Sequence, residues 1–116
     1  MRKVETYLGF CIRAGKITFG VDGIVQLKKG VKLLLIDGSL GESSQKDVKA
    51  AQEKFGCPLW TVQEGLLGEL LHRPSVKAVA IKDDSLAGAI EREIAAKQEF
   101  TLSCGGHKKT YGKERL

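Results

Sequence analysis

The sequence predicts an α/β fold: a three-layer α/β/α sandwich around a small mixed sheet of four strands. The first observation is that segments with helical apolar periodicity alternate along the chain with short β-rich runs. The second is that two of these runs, residues 31–37 and 76–81, carry apolar residues on both faces. Strands with that pattern are typically covered by helices on each side of the sheet.

The first elements follow from periodicity and from residues that start or stop helices. Apolar residues at helical spacing near the N terminus predict a helix that ends at Gly15. An extended piece, residues 17–19, leads to a second helix, for which we expect Asp22 as the N-cap and Gly30 as the end. The apolar run 31–37 is then a strand in the middle of the sheet.

The second half of the chain continues the alternation. Ser43 or Ser44 can cap a third helix, and Gly56 can end it. The remaining predicted elements are strand 58–62, helix 64–72, strand 76–81 and helix 85–97. The 116 residues fit one domain. We expect residues 1–100 to form it and residues 101–116, with glycines among lysines, to form a basic, flexible tail.

Composition points to a polyanionic partner and away from several other classes. The formal net charge is +5, of which the tail supplies +3 and the rest of the chain +2. The apolar runs are too short to cross a bilayer and no signal peptide precedes them, so we expect a cytoplasmic protein without a membrane partner. Phosphate-binding loops, nucleophile elbows and zinc-hydrolase motifs are absent, so we expect no enzymatic activity.

The three cysteines do not form a disulfide framework, because their number is odd. Cys104 and His107 raise the alternative of a metal site with Cys11 or Cys57, but structural zinc normally has four ligands in close pairs. We therefore expect neither a metal nor a cofactor. Cys11 and Cys57 fall at apolar positions and are predicted to be core residues.

Four stretches carry a family resemblance in order and spacing. They are Leu-Gly-Phe-Cys-Ile-Arg-Ala-Gly-Lys-Ile-Thr-Phe-Gly at 8–20, the strand 31–37, Lys-Phe-Gly-Cys-Pro at 54–58, and Leu-Gly at 67–68 ahead of strand 76–81. Together they make most of the chain similar to bacterial members of the ribosomal protein L-seven-Ae/L-thirty-e superfamily, which bind kink-turn RNA. The resemblance implies a non-catalytic protein that binds structured RNA, such as ribosomal RNA.

In that family, as the resemblance implies, RNA is held by the start of the second helix and by the loop before the last strand. Its members read sheared G·A pairs with an asparagine, a glutamate and a lysine that follow a glycine. Gly20 matches, but Asp22, Gly23 and Gln26 stand where the reading residues are expected. An ionised Asp22 cannot donate to guanine O6 or N7, whereas the Gln26 amide can. Each lost base contact costs about 1–3 kcal/mol, so we expect altered recognition.

The other candidates are basic or stacking residues near the same two segments. The full set of predicted RNA-binding residues is Arg13, Lys16, Gly20, Asp22, Gly23, Gln26, Lys28, Lys29, Lys32, His72, Arg73 and Ser75. Each has a plainer interpretation: a helix cap for Asp22, backbone geometry for the glycines, and a solvated helix face for the lysines. The alternative function is a protein-interaction module of the same fold, with a protein partner in place of RNA.

Overall fold

The computed structural model describes residues 3–104, and of Cys104 the backbone alone. Five helices and five strands follow one another along the chain. They are α1 (Lys3–Ala14), β1 (Ile17–Phe19), α2 (Val21–Gln26), β2 (Leu33–Asp37), α3 (Glu42–Phe55), β3 (Leu59–Val62), α4 (Leu66–Leu71), β4 (Ala78–Ile81), α5 (Asp84–Ile94) and β5 (Phe100–Cys104). The predicted α/β class and alternation of elements are confirmed.

The strands form one mixed sheet in the order β1-β4-β2-β3-β5. Strands β2 and β3 are parallel, and the other three pairs are antiparallel. The prediction of four strands is wrong, because β5 adds a fifth beside β3. Residues 101–104 therefore belong to the sheet and not to a tail, while residues 105–116 lie outside the described part of the chain.

Helices cover both faces of the sheet, as predicted, because alternate residues of β2 point to opposite sides. Leu33 and Leu35 join a core cluster with side chains of α1, α4 and α5. Leu34 and Ile36 join a second cluster with side chains of α2 and α3. All four side chains are buried, and each contributes about 1.5–3 kcal/mol of favourable transfer free energy. The two apolar faces of β2 thus define the three layers.

Several element ends differ from the predictions. Gly20, not Asp22, is the N-cap of α2, and α2 ends at Gln26 instead of Gly30 because Leu27 is extended. The N-cap of α3 is Gly41, so neither predicted serine caps it. Gly56 ends α3 in a left-handed conformation, as predicted. The other predicted helices and strands are present: strand 17–19 matches at both ends, and the ends of the rest differ by at most three residues.

The cysteines described with side chains are core residues, as predicted. Cys11 and Cys57 are both free and buried. Burial raises the pKa of each thiol to about 11, because the low-dielectric surroundings disfavour the thiolate. Residues 3–104 contain no group of three or more His, Cys, Asp or Glu placed to hold a metal ion, and His107 lies outside them. No helix within the same range is long and apolar enough to cross a membrane.

Candidate nucleic-acid interface

The predicted RNA-binding residues lie mainly along the β1 side of the sheet, at its two ends. We call one end the Arg73 end, defined by Phe19, Gly20, Asp37, Arg73 and Lys77, where β2 finishes and β4 begins. We call the other the lysine end, defined by Lys16, Lys32 and Lys82, where β2 begins and β4 finishes. Four residue steps along β4 separate the ends by ~13 Å.

At the Arg73 end, the two predicted RNA-binding segments meet. The backbone N–H of Gly20, at the start of α2, donates to the carbonyl oxygen of Ala78 over 2.8 Å. The guanidinium carbon of Arg73, in the loop before β4, lies 4.6 Å from the centroid of the Phe19 ring. Segments that are far apart in sequence therefore form one surface, with an exposed arginine lying over an aromatic ring.

The position of Arg73 is set by its close fit on α4. Its backbone N–H donates to the carbonyl oxygen of Gly68 over 2.9 Å. A Cβ added to Gly68 would lie 3.0 Å from both Cα and O of Pro74, closer than such atoms normally approach. The loop thus passes so close to α4 that a side chain at position 68 would push Pro74 outward, which fixes where the Arg73 side chain begins.

The start of α2 explains both glycines of the predicted motif. Gly20 has φ 86 and ψ 150, a backbone conformation that is almost restricted to glycine. A Cβ on Gly23 would lie 2.9 Å from the Thr18 methyl group, so the helix packs too closely on β1 for a side chain there. Asp22 is exposed in the first turn of α2, where a negative charge favours the helix and repels a nearby phosphate.

Asp37 anchors the Arg73 end from inside the sheet. Its carboxylate is 2% exposed and accepts hydrogen bonds from Ser39, through backbone and hydroxyl, and from the backbone N–H groups of Gly65 and Leu67. Burial alone would raise the pKa of this carboxyl, but these hydrogen bonds stabilise the charged form more strongly and hold the pKa below its ordinary value of 3.8. A buried anion thereby ties β2 to the beginning of α4.

Lys77 connects this buried carboxylate to the surface. Its ammonium group donates to the Ser39 hydroxyl oxygen over 2.7 Å, and that hydroxyl in turn donates to Asp37 over 2.6 Å. The Lys77 carbonyl oxygen also accepts from the Asp37 backbone N–H over 2.8 Å. An exposed cation is therefore held two residues from Ser75, an exposed residue of the same loop. Sequence reasoning selected Ser75 and missed Lys77.

Arg13 and His72 lie together in a different place from the one predicted. Both line a groove of about 300 Å³ between α1 and α4, together with Glu5. The His72 ring nitrogen Nε2 contacts the Glu5 carboxylate at 2.5 Å, and the Arg13 guanidinium lies 5.0 Å from the ring centroid of Phe10. Although His72 precedes Arg73 in sequence, its side chain lies against α1 and not against β1.

The predicted lysines lie away from Gly20, at the opposite end of the sheet. The Lys16 carbonyl oxygen accepts from the Lys82 backbone N–H, and the Lys32 N–H donates to Ile81, both over 2.8 Å. Lys28 and Lys29 are exposed in the connection between α2 and β2. Lys16 and Lys32 thus lie at the end of the sheet opposite Gly20, and a shared RNA contact for these residues stays a prediction. Gln26 is the last residue of α2 and lies ~9 Å from the helix start.

Charge is distributed unevenly over the described residues. Segments 13–32 and 73–82 contain eight lysines or arginines and a single acidic residue, Asp22. The other described segments contain six basic and twelve acidic residues. Because β1 and β4 are paired, the two basic segments are neighbours in space. The β1 side of the molecule thus has a positive potential that the small overall charge of residues 3–104 conceals.

Comparison with known proteins gives a fold and no function. No protein-family model and no curated protein sequence matches the chain. A solved structure shares the architecture. It is that of a protein of unknown function from Bacillus halodurans, 18% identical in sequence, with a TM-score of 0.71 over 82% of this chain and 99% of that one. At this identity the likeness supports the fold alone.

Four residues that define the two ends were not selected from the sequence: Phe19, Asp37, Lys77 and Lys82. Phe19 reads as an ordinary strand residue, and Lys77 and Lys82 read as the polar flanks of a buried strand. The antiparallel pairing of β1 with β4 places Phe19 under Arg73 and Lys82 beside Lys16. The available signal was the basic residue on each side of 78–81, since charged residues that flank a buried strand lie at opposite ends of the sheet.

Proposed function

We propose that this protein is a non-catalytic RNA-binding protein that holds structured RNA, such as a kink-turn in ribosomal RNA, at the Arg73 end. The observation that carries the proposal is the stack of Arg73 on Phe19 beside Gly20. It supports the proposal because it brings an arginine–aromatic pair to the start of α2, where the family resemblance leads us to expect RNA. We also propose that the protein is cytoplasmic.

The chemistry of this surface suits a bent or unpaired RNA strand. A guanidinium group has five N–H donors in one plane and can pair with a phosphate or stack on an extruded base. The Phe19 ring supports the other face of Arg73 and so limits the side-chain entropy lost when RNA binds. Lys77 adds a second fixed cation on the same loop.

Recognition of bases is expected to be weaker than in a standard kink-turn binder. An ionised Asp22 offers no hydrogen-bond donor to guanine. Gly23 has no side chain that could contact a base, and an added Cβ there would lie too close to the Thr18 methyl group. With about 1–3 kcal/mol lost for each missing contact, RNA shape and phosphate positions must supply most of the selectivity. The surface would therefore read a kinked backbone more than a sequence.

The protein-interaction alternative has less support from the exposed apolar side chains. Among the described residues, the large exposed ones are Phe10 on α1 and Val25 on α2. These helices cover opposite faces of the sheet, so the two side chains do not form one patch. Isolated apolar residues at the surface are normal and do not mark a protein interface.

The test is a fluorescence-anisotropy titration of the purified protein with two labelled RNAs of equal length, a kink-turn and an uninterrupted duplex. We expect tighter binding to the kink-turn, with an affinity that falls as salt increases. Equal and weak binding to both RNAs would refute the proposal. Persistence of protein partners after nuclease treatment of a lysate, without any kink-turn preference, would favour the protein-interaction alternative instead.

A further inference from the structure

We propose that the lysine end is a second RNA contact, separate from the Arg73 end, that binds the sugar-phosphate backbone of the duplex flanking the bound kink. This inference rests on the proposed function and adds a second surface to it. Lys16, Lys32 and Lys82 form this contact.

The fold places the three lysines on adjacent strand ends. Lys16 precedes β1, Lys82 follows β4 and Lys32 precedes β2, and these strands are neighbours in the order β1-β4-β2. Two backbone hydrogen bonds of 2.8 Å extend the pairing to these positions. Adjacent strands are about 4.8 Å apart, so the three Cα atoms span roughly 10 Å. Like charges at neighbouring cross-strand positions destabilise a sheet, and an external anion relieves that repulsion.

Three carboxylates lie near this cluster: Asp83 and Asp84 follow Lys82 in the sequence, and Asp84 and Glu91 line the same cavity as Lys32. Lys16, Lys32 and Lys82 have no ion-pair partner among residues 3–104. Asp83, next in sequence to Lys82, uses its carboxylate to cap α5 by accepting from the Leu86 N–H over 2.8 Å. Asp84 lines the same cavity as Lys32 without forming an ion pair with it. The lysine charges are therefore available to a polyanion.

One RNA can contact both ends at once. The ends are ~13 Å apart along β4. A double helix carries one backbone charge per about 1.7 Å of axis, so a duplex passing from one end to the other presents about eight phosphates over that length. The Arg73 end then holds the kink, and the lysine end holds the regular duplex beside it.

The experiment measures salt-dependent affinity for two RNAs that share one kink-turn but differ in one flanking stem, about 16 or about 4 base pairs long. The variant is the triple substitution Lys16→Gln, Lys32→Gln and Lys82→Gln. A matched control removes the same charge elsewhere, through Lys49→Gln, Arg92→Gln and Lys97→Gln at exposed positions. Thermal unfolding checks that every variant is folded.

On the long stem, we expect the lysine triple variant to lower the slope of log affinity against log salt by about 2.7, or 0.9 for each lost phosphate contact. At low salt its affinity should fall by 10-fold or more, whereas the control should keep the wild-type affinity and slope. On the short stem, the triple variant and the wild type should bind alike.

The outcomes separate this inference from the proposed function. If the wild type prefers the kink-turn while the triple variant matches the control on the long stem, the second contact is refuted and the proposed function stands. If the anisotropy titration shows no preference of the wild type for the kink-turn over the uninterrupted duplex, but the triple variant still loses affinity for the long-stem RNA, the proposed function fails and the lysine end remains a duplex contact. Loss of affinity on both stems would also contradict a contact to the flanking duplex.

Discussion

The two ends of the sheet present cations in different ways. At the Arg73 end, side chains are held in place: Arg73 stacks on Phe19, and Lys77 is tied through Ser39 to the buried Asp37. At the lysine end, Lys16 and Lys32 are exposed and have no ion-pair partner within residues 3–104. Hydrogen-bond donors that are held in place can select one RNA shape. Lysine ammonium groups without a partner attract phosphates but do not require a particular arrangement of them. The difference suggests one end for recognition and one for affinity.

The largest effect should be a loss of stability when Asp37, which anchors the Arg73 end, is replaced. We expect Asp37→Asn to lower the free energy of unfolding by about 3 kcal/mol, because the amide cannot replace a carboxylate that accepts hydrogen bonds from three residues. Urea unfolding followed by circular dichroism measures this change. The control is Asp22→Asn, at an exposed carboxylate, which should change stability by less than about 1 kcal/mol. Equal stability of the two variants would contradict the anchoring role.

The same residue predicts a pH dependence with a definite sign. The pKa of Asp37 is lower in the folded protein than its ordinary value of 3.8, so the folded state favours the charged form. The resulting stabilisation is complete above pH 3.8 and is lost as the pH falls through the folded-state pKa. Urea unfolding at a series of acidic pH values should therefore show a steeper loss in the wild type than in Asp37→Asn. An equal loss of stability with falling pH in the wild type and in Asp37→Asn would contradict this pH dependence.

A smaller effect, on binding, should follow substitution of Arg73. We expect Arg73→Ala to weaken kink-turn binding by about 30-fold, which corresponds to about 2 kcal/mol, through loss of the stacked guanidinium. Arg73→Lys keeps the charge but cannot form the planar stack, so it should recover only the salt-dependent part of the affinity. Anisotropy titrations measure both variants against Arg92→Ala, an exposed arginine on α5. Full recovery by lysine would show that the Arg73 end acts by charge alone.

The smallest predicted effect is a gain in affinity for the kink-turn when Asp22 is replaced. Asp22→Asn removes a carboxylate that repels phosphate and supplies the amide donor that the family resemblance leads us to expect. We expect about 5-fold tighter binding to the kink-turn, or about 1 kcal/mol, with no comparable gain on a plain duplex. The matched control in the same titration is Asp47→Asn, at an exposed position on α3. An equal gain in both variants would show that net charge, and not the start of α2, controls binding.

The sequence was sufficient for the architecture where local patterns decide it. The two-sided apolar run of β2 and the left-handed Gly56 after α3 were both predictable from residue type and spacing. The strand β5 was missed, although Phe100 and Leu102 alternate with threonine and serine, because glycines and lysines follow it. A five-residue alternation at the edge of a sheet is a weak signal beside such a composition.

The site was less predictable, because it depends on pairing between distant segments. The meeting of Gly20 with Ala78 follows from the antiparallel register of β1 and β4, which no local pattern encodes. The same register separates Lys16 and Lys32 from Gly20, so residues that are close in sequence lie at opposite ends of the sheet. Asp37 looked like the end of a strand, and its role depends on the position of Gly65 in the fold.

The central claim is that the Arg73 end recognises the kink and the lysine end binds the duplex. Its most direct test is residue-by-residue mapping of the RNA contact in solution. Backbone amide NMR spectra of the 15N-labelled protein should be recorded with a kink-turn RNA and with a plain duplex. We expect the kink-turn to shift the amides of Gly20, Arg73 and Lys77 as well as those of the lysine end, and the duplex to shift only Lys16, Lys32, Lys82 and their neighbours. Shifts confined to α3 and α5, or identical shifts with both RNAs, would contradict the account.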